Sequence, residues 1–224
     1  MPPSLFNLER AGHIYSRISN PTVAVLEERV ARFGGRGRCR LPPPSGHAAL
    51  FLGISHPDGA GWAYRRLPRP CMAAANNLFS HTLPRFGIET TKVRPARPGR
   101  PSARRSGRRP GWSSARRIGN PGLEVMDIAA DWPKSPTTPA LPLMVDSTFA
   151  TPHLCRPIDH GADLVMHSAD QVASAATVWR IGGILVDGGH LRLGGVRKVP
   201  DPHRALCRLS RIGFRRGVRA SGAC

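Results

Sequence analysis

Along this chain, stretches whose apolar residues recur at regular steps alternate with stretches that have no such order. Val23, Leu26, Val30 and Phe33 recur at three- and four-residue steps, which predicts one apolar helix face. Asn20-Pro21 supplies its start, with Asn as cap and Pro at the first helical position, and Gly34-Gly35 supplies a stop. Leu141 to Val145 is a short apolar run that ends at Asp146. In a parallel sheet, such a strand delivers its terminal polar residue to the ligand crevice at the carboxyl edge. Gly161 to Met166 reads as a second strand of this kind, ending at His167-Ser168. Ile181 to Val186 reads as a third, closed by Asp187-Gly188-Gly189. These elements predict an α/β domain.

Other stretches read differently. VRPARPGRPSARRSGRRPGWSSARR (93–117) has no apolar period and almost nothing to bury. Alone it predicts a basic, disordered segment, which an α/β domain rarely inserts mid-sheet. Charge sharpens the contrast. The 224 residues carry 33 Lys+Arg against 14 Asp+Glu, a net +19, yet Lys92, Lys134 and Lys198 are the only lysines. Segments 34–70, 94–117 and 191–224 carry +5, +9 and +8, and the other 129 residues carry −3. Gly (24) and Pro (23) are also abundant. A chain of +19 points first to nucleic acid or an anionic surface. However, in the most basic segment, 94–117, aromatics do not interleave the arginines apart from Trp112, and no helix-turn-helix, RRM or zinc pattern is present. Salt-sensitive, non-specific binding is expected of such segments, and no specific nucleic-acid partner. No apolar run reaches membrane-spanning length, and MPPSLFNLER offers no signal peptide. The five cysteines lack C-x-x-C spacing, which argues against a disulfide framework or a metal site. A cytoplasmic protein is expected.

The ordered blocks carry a resemblance. They are YSRISNPTVAVLEERVA (15–31), SGHAAL (45–50), NNLFSHTLPRFGIETT (76–91), IGNPGLEVMDIA (118–129), PLMVDSTFATPHLCRPIDHGADLVMHSA (142–169) and IGGILVDGG (181–189). In order and spacing they resemble the pyridoxal-phosphate enzymes of cysteine and methionine metabolism, within them the O-acetylhomoserine sulfhydrylase branch. The resemblance covers about half the chain. It implies the large cofactor-binding domain of a fold-type I (aspartate aminotransferase-like) enzyme over 1–190, with a basic tail at 191–224 and no counterpart of the family's C-terminal domain.

Residue roles follow from the resemblance. Tyr15 and Arg17 match the pair that reaches into a neighbouring subunit to hold the cofactor phosphate, so a homo-oligomer is implied. Gly46 and His47 match the turn whose N–H groups open a helix onto the phosphate. Asp146 matches the carboxylate on the pyridine nitrogen, Ser168 a hydroxyl on the phosphate, and Asn120 the Asn of the G-N-P turn beside the cofactor. Read singly, Ser45-Gly46 is an ordinary turn and Asp146 a strand-end cap. The implied reaction replaces the acetate of O-acetylhomoserine by sulfide or a thiol, giving homocysteine for methionine biosynthesis.

The departure from the family is at its defining residue. The family motif is Ser-Ala-Thr-Lys, whose lysine forms the Schiff base, whereas this chain has Ser168-Ala169-Asp170-Gln171. Gln171 stands at the lysine position, and an amide forms no imine. Asp170-Gln171-Val172 written GAC-CAA-GTN and shifted by one base reads Thr-Lys. Ala173 to Trp179 has a codon choice that, read two bases in, gives the expected Gly-rich stretch. Pro70 to Ala74 similarly gives Leu-His-Gly-Gly where the family has Leu-Tyr-Gly-Gly. The off-pattern patches at 36–44, 60–75, 92–117, 130–140 and 170–180 fit compensating frameshifts in GC-rich DNA. The expectation is therefore an enzyme by ancestry, inactive as written, holding pyridoxal phosphate at most non-covalently. The alternatives are a pseudogene-like, truncated non-catalytic fragment and, behind it, an arginine-rich nucleic-acid binder.

Overall fold

The computed structural model describes residues 12–13, 15–16, 20–33, 39–55, 63–66, 73–92, 111–132, 142–173 and 182–189. Those up to Val30 and those from Ala31 onward belong to two separate units. Most of helix α1 (Pro21–Phe33) lies in the first. Its start is as the sequence predicts: Asn20 Oδ1 accepts the Thr22 N–H at 2.9 Å. Val23, Leu26 and Phe33, on the face that the spacing defines, are exposed. Gly34-Gly35 lies outside the described residues.

The second unit is built on seven strands: β1 (Cys39–Leu41), β2 (Ala63–Arg66), β3 (Glu89–Lys92), β4 (Gly111–Arg116), β5 (Leu143–Asp146), β6 (Leu164–Ser168) and β7 (Gly183–Asp187). They form one sheet in the order β1-β7-β6-β5-β4-β2-β3. From β3 through β6 every pairing is parallel, while β7 runs antiparallel to both β6 and β1. Parallel neighbours need crossovers, and helices supply cover for the buried faces.

Helix α2 (Gly46–Ser55) packs on β6 and β7. Ser45 caps it by accepting the Ala48 N–H at 3.0 Å. Gly46, Ala49, Leu50, Gly53 and Ile54 recur at helical spacing and are buried. At Gly53 a Cβ would lie 2.6 Å from Met144 Sδ, so a larger residue there would require the Met144 side chain to shift. Helix α3 (Ala73–Asn77) runs on into a π turn (Leu78–Thr82) and a 3₁₀ turn (Leu83–Phe86). Gly87 stops it with φ 72°, its N–H donating to the Leu83 and Pro84 carbonyls. Leu78, Phe79, Leu83 and Ile88 from this segment join Trp112, Met144, Leu164, Met166 and Leu185 in one core. Each such burial contributes roughly 1.5–3 kcal/mol. The described residues also form two short helices, α4 (Ile128–Asp131) and α5 (Thr151–Leu154), and a 3₁₀ turn (Pro157–His160).

Two expectations are corrected. The third predicted strand exists as β7, but it runs against its neighbour. Asp187 therefore stands opposite Leu164, and Gly183 stands opposite Ser168. Asp187 thus lies at the edge away from the carboxyl ends of β5 and β6. The second correction concerns the arginine-rich segment, whose end is not disordered. Gly111–Arg116 is a central strand, with Trp112 only 1% exposed and Ser113, Ser114 and Ala115 buried. A strand flanked by parallel neighbours is covered on both faces, so its burial follows from position and not from alternation. The off-pattern patches at 36–44 and 60–75 likewise contain β1 and β2. Residues 93–110 and the basic tail at 191–224 lie outside the described residues.

Candidate cofactor site

Because β4, β5 and β6 are parallel, their carboxyl ends open on one edge. The register places Arg116 beside Asp146 and Asp146 beside Met166. Ser168 lies two residues further along β6, and α2 starts directly on it. A Cβ at Gly46 would lie 2.5 Å from both Ser168 Cβ and Oγ. Glycine is the residue that lets the helix start approach the strand this closely. Gly183 repeats the device, since a Cβ there would run into the Ser45 carbonyl. The N–H groups of Gly46 and His47 are first-turn donors that the helix ladder leaves over, at its electropositive end.

The Asp146 carboxylate is held on both sides. Oδ1 accepts from Thr148 Oγ1 at 2.6 Å and from the Thr148 N–H at 3.0 Å. Thr148 Oγ1 in turn accepts the Ser168 N–H at 3.0 Å, tying the end of β5 to the end of β6. Oδ2 lies 3.3 Å from Arg116 Nε, with both side chains mostly buried. The Arg116 guanidinium also sits over the Phe149 ring, 4.9 Å from its centroid. Nε has no aligned hydrogen-bond acceptor, so the contact with Asp146 is an ion pair without a hydrogen bond at that atom.

His167 is buried just before Ser168, with Nδ1 3.1 Å from the Ser147 carbonyl oxygen. Burial pushes its pKa below the ordinary histidine value, and the opposing pulls of Asp146 and the Ser147 carbonyl are smaller. Beyond it, the Ser168 hydroxyl donates to Asp170 Oδ1 at 2.6 Å. Gln171 follows, exposed on the π turn Ala169–Ala173.

The structure therefore brings Gly46, Asp146 and Ser168 to one sheet edge. His47 is exposed at the second position of α2. Asn120 lies on the turn leaving that edge, four residues after Arg116, where the Gly119 N–H donates to the Glu124 carbonyl at 2.8 Å. Tyr15 is exposed and belongs to the other unit, and Arg17 lies outside the described residues. Three participants escaped sequence reasoning. Thr148 had a signal, because Asp-x-Thr permits the turn it makes with Asp146. Asp170 was in view only as a displaced motif. Arg116 had none, because it stands in a segment that reads as disordered. Among the described residues no three His, Cys, Asp or Glu side chains come together as a metal site. None of the described helices is long and apolar enough to cross a membrane.

The model of the Cys/Met metabolism PLP-dependent enzyme family matches residues 3–191. The chain belongs to this family. It is 34% identical over 202 residues to an O-acetyl-L-homoserine sulfhydrylase of Leptospira meyeri, covering 88% of this chain and 45% of that protein. It is 38% identical to O-acetyl-L-homoserine sulfhydrylase 1 of Thermus thermophilus (87% and 45% covered) and 36% identical to homocysteine synthase of Schizosaccharomyces pombe (83% and 42%). The chain thus spans a little under half the length of these relatives. Among solved structures it is similar to a putative O-acetylhomoserine (thiol)-lyase of Campylobacter jejuni, determined with N'-pyridoxyl-lysine-5'-monophosphate. That likeness has a TM-score of 0.66 at 28% identity, over 83% of this chain and 45% of that one. A cystathionine gamma-lyase of Lactobacillus plantarum shares the fold, with a TM-score of 0.66 at 24% identity, over 90% and 49%. The α/β sheet is accordingly part of a fold-type I domain, and pyridoxal phosphate is the cofactor of the family.

The residues present fit that group in one respect and not in another. The contact of Gly46 with Ser168, closed to any Cβ, leaves first-turn backbone N–H groups at one corner, suited to a phosphate, beside a Ser168 hydroxyl already engaged by Asp170. The Asp146 carboxylate at the end of β5 suits a ring nitrogen. Covalent attachment does not fit the described residues. Gln171 carries no amine. Lys92, the one lysine among the described residues, is on β3, four strands from β6, or about 19 Å at ~4.8 Å per strand. Lys134 and Lys198 lie outside the described residues.

Proposed function

We propose that this chain derives from an O-acetylhomoserine sulfhydrylase, that its sheet edge holds pyridoxal phosphate without a covalent bond, and that it does not turn over O-acetylhomoserine and sulfide as it stands. Gln171 carries this reading: it occupies the turn directly after Ser168, where the resemblance calls for a lysine. When bound, the cofactor ring supplies an electron sink for carbanion charge. In this chain Asp146 would orient the ring nitrogen, and the first-turn N–H groups of Gly46 and His47 would face the phosphate, the Ser168 hydroxyl being engaged by Asp170. Nothing at position 171 could take or return a proton, since a neutral amide does neither at ordinary pH. Sulfhydrylase names among the relatives support the substrate class.

Two further parts of the proposal go with it. The arginine- and proline-rich patches are out-of-frame readings of GC-rich DNA, which re-sequencing the locus tests. The molecule is a homo-oligomer, supported by the exposed Val23, Leu26 and Phe33 on α1 and by the exposed Tyr15.

Borohydride trapping tests the central claim. The protein loaded with pyridoxal phosphate and treated with borohydride is expected to lose all label on denaturation, while Gln171→Lys is expected to keep it. A label that survives denaturation in the unaltered chain, or homocysteine formed from O-acetylhomoserine and sulfide, would overturn the reading.

A further inference from the structure

The phosphate corner contains a group that no role accounts for. Ser168 Oγ has one proton to give, and it is given to Asp170 Oδ1 at 2.6 Å. A phosphate oxygen at hydrogen-bond distance from Ser168 Oγ, about 2.7 Å, would therefore meet an oxygen without a free proton. It would also lie within about 5 Å of the Asp170 carboxylate, the sum of the two hydrogen-bond lengths. Two anions at that separation repel, the more strongly where water is thin. The corner is half-buried on this side: Ser168, Ala169 and Asp170 are each partly covered, and the Ala169 N–H is tied to the Gly182 carbonyl at 2.8 Å. Against the repulsion stand the first-turn N–H groups of α2 at Gly46 and His47. The described residues give the corner no arginine or lysine in contact with Ser168 or Asp170. Of the two cations at the end of β4, Arg116 is already paired with Asp146, and Arg117 Nε donates to Cys155 Sγ at 3.4 Å.

We infer that Asp170 sets the ligand specificity of this cradle against a phosphate dianion, so that the ring half of the vitamer is accepted and the phosphate contributes no affinity. This rests on the reading that the edge is a pyridoxal-phosphate cradle. It concerns what the cradle selects, not whether it reacts.

Equilibrium dialysis of the full chain against pyridoxal phosphate and against pyridoxal tests it. The unaltered chain is expected to bind the two with affinities within about threefold of each other. Asp170→Asn removes the charge at nearly constant shape and is expected to raise the affinity for pyridoxal phosphate at least about tenfold while leaving pyridoxal unmoved. Asp170→Thr, which also frees the Ser168 proton, is expected to do the same and covers the case in which the Asn variant folds poorly. A tenfold preference for the phosphorylated form in the unaltered chain overturns the inference. So does binding of both forms with a ratio that neither variant changes, and in that outcome the cradle itself stands. If no variant binds either form while keeping its circular dichroism, the cradle reading and this inference fall together.

Discussion

Arg116 Nε lies 3.3 Å from Asp146 Oδ2, at matched positions on adjacent parallel strands. The pair joins a residue from the arginine-rich segment to the carboxylate that the family resemblance assigns to the ring nitrogen. A carboxylate already compensated by a guanidinium gives less to a pyridinium than a free one would. Removing one partner leaves the other mostly buried and uncompensated. Asp146→Ala also strips two acceptor contacts from Thr148. It is expected to lower stability by about 2–4 kcal/mol in urea unfolding. A double-mutant cycle with Arg116→Ala is expected to give a coupling of about 0.5–3 kcal/mol. Additive losses would show that the pair is incidental.

Gly46→Ala places a methyl group 2.5 Å from Ser168 Cβ and 2.8 Å from its Cα. Backbone cannot swing aside as a long side chain can. The expected cost is about 1–3 kcal/mol, from displacing α2 along β6. Ser168→Ala in the same chain should recover little of it, because Cα and Cβ are still in place. Denaturant midpoints of the single and double variants check this.

Trp112→Ala tests whether the end of the arginine-rich segment is a strand of the core. Trp112 is among the largest fully buried side chains, and its removal is expected to cost about 3–5 kcal/mol. An unchanged melting curve would return the segment to the disordered reading.

His167 gives a pH dependence with a definite sign. Its folded pKa lies below the unfolded value of 6.5, chiefly through burial. The unfolded chain therefore binds the more protons between the two values, and stability rises with pH across that window. The contribution is complete above pH 6.5 and is lost as pH falls below it toward the folded value. Thermal midpoints should fall from pH 7 to pH 5 by more than those of His167→Gln, which has no imidazole to protonate. Parallel slopes would mean that His167 is not what the acid reaches.

Legibility in the sequence followed a physical line. β5 and β6 could be read because each is an apolar run stopped by a polar residue, and the structure puts Asp146 and Ser168 at those stops. The start of α1 could be read because capping is local. β4 could not, because Trp-Ser-Ser-Ala-Arg has neither alternation nor an apolar run; it is a strand because β2 and β5 flank it. The direction of β7 was equally hidden, since a strand reads the same whichever way its neighbours run.

The sequence by itself thus determined β5 and β6, the glycine at the start of α2 and the family of the chain. These depend on residue identity and on neighbours a few positions away. Only the tertiary structure decided that Arg116 pairs with Asp146, that Thr148 links Asp146 to Ser168, and that the start of α2 lies against Ser168. The first two depend on which strands lie side by side, and the third on where α2 starts relative to β6. Contacts between segments far apart in the chain are set by packing, which local pattern does not encode.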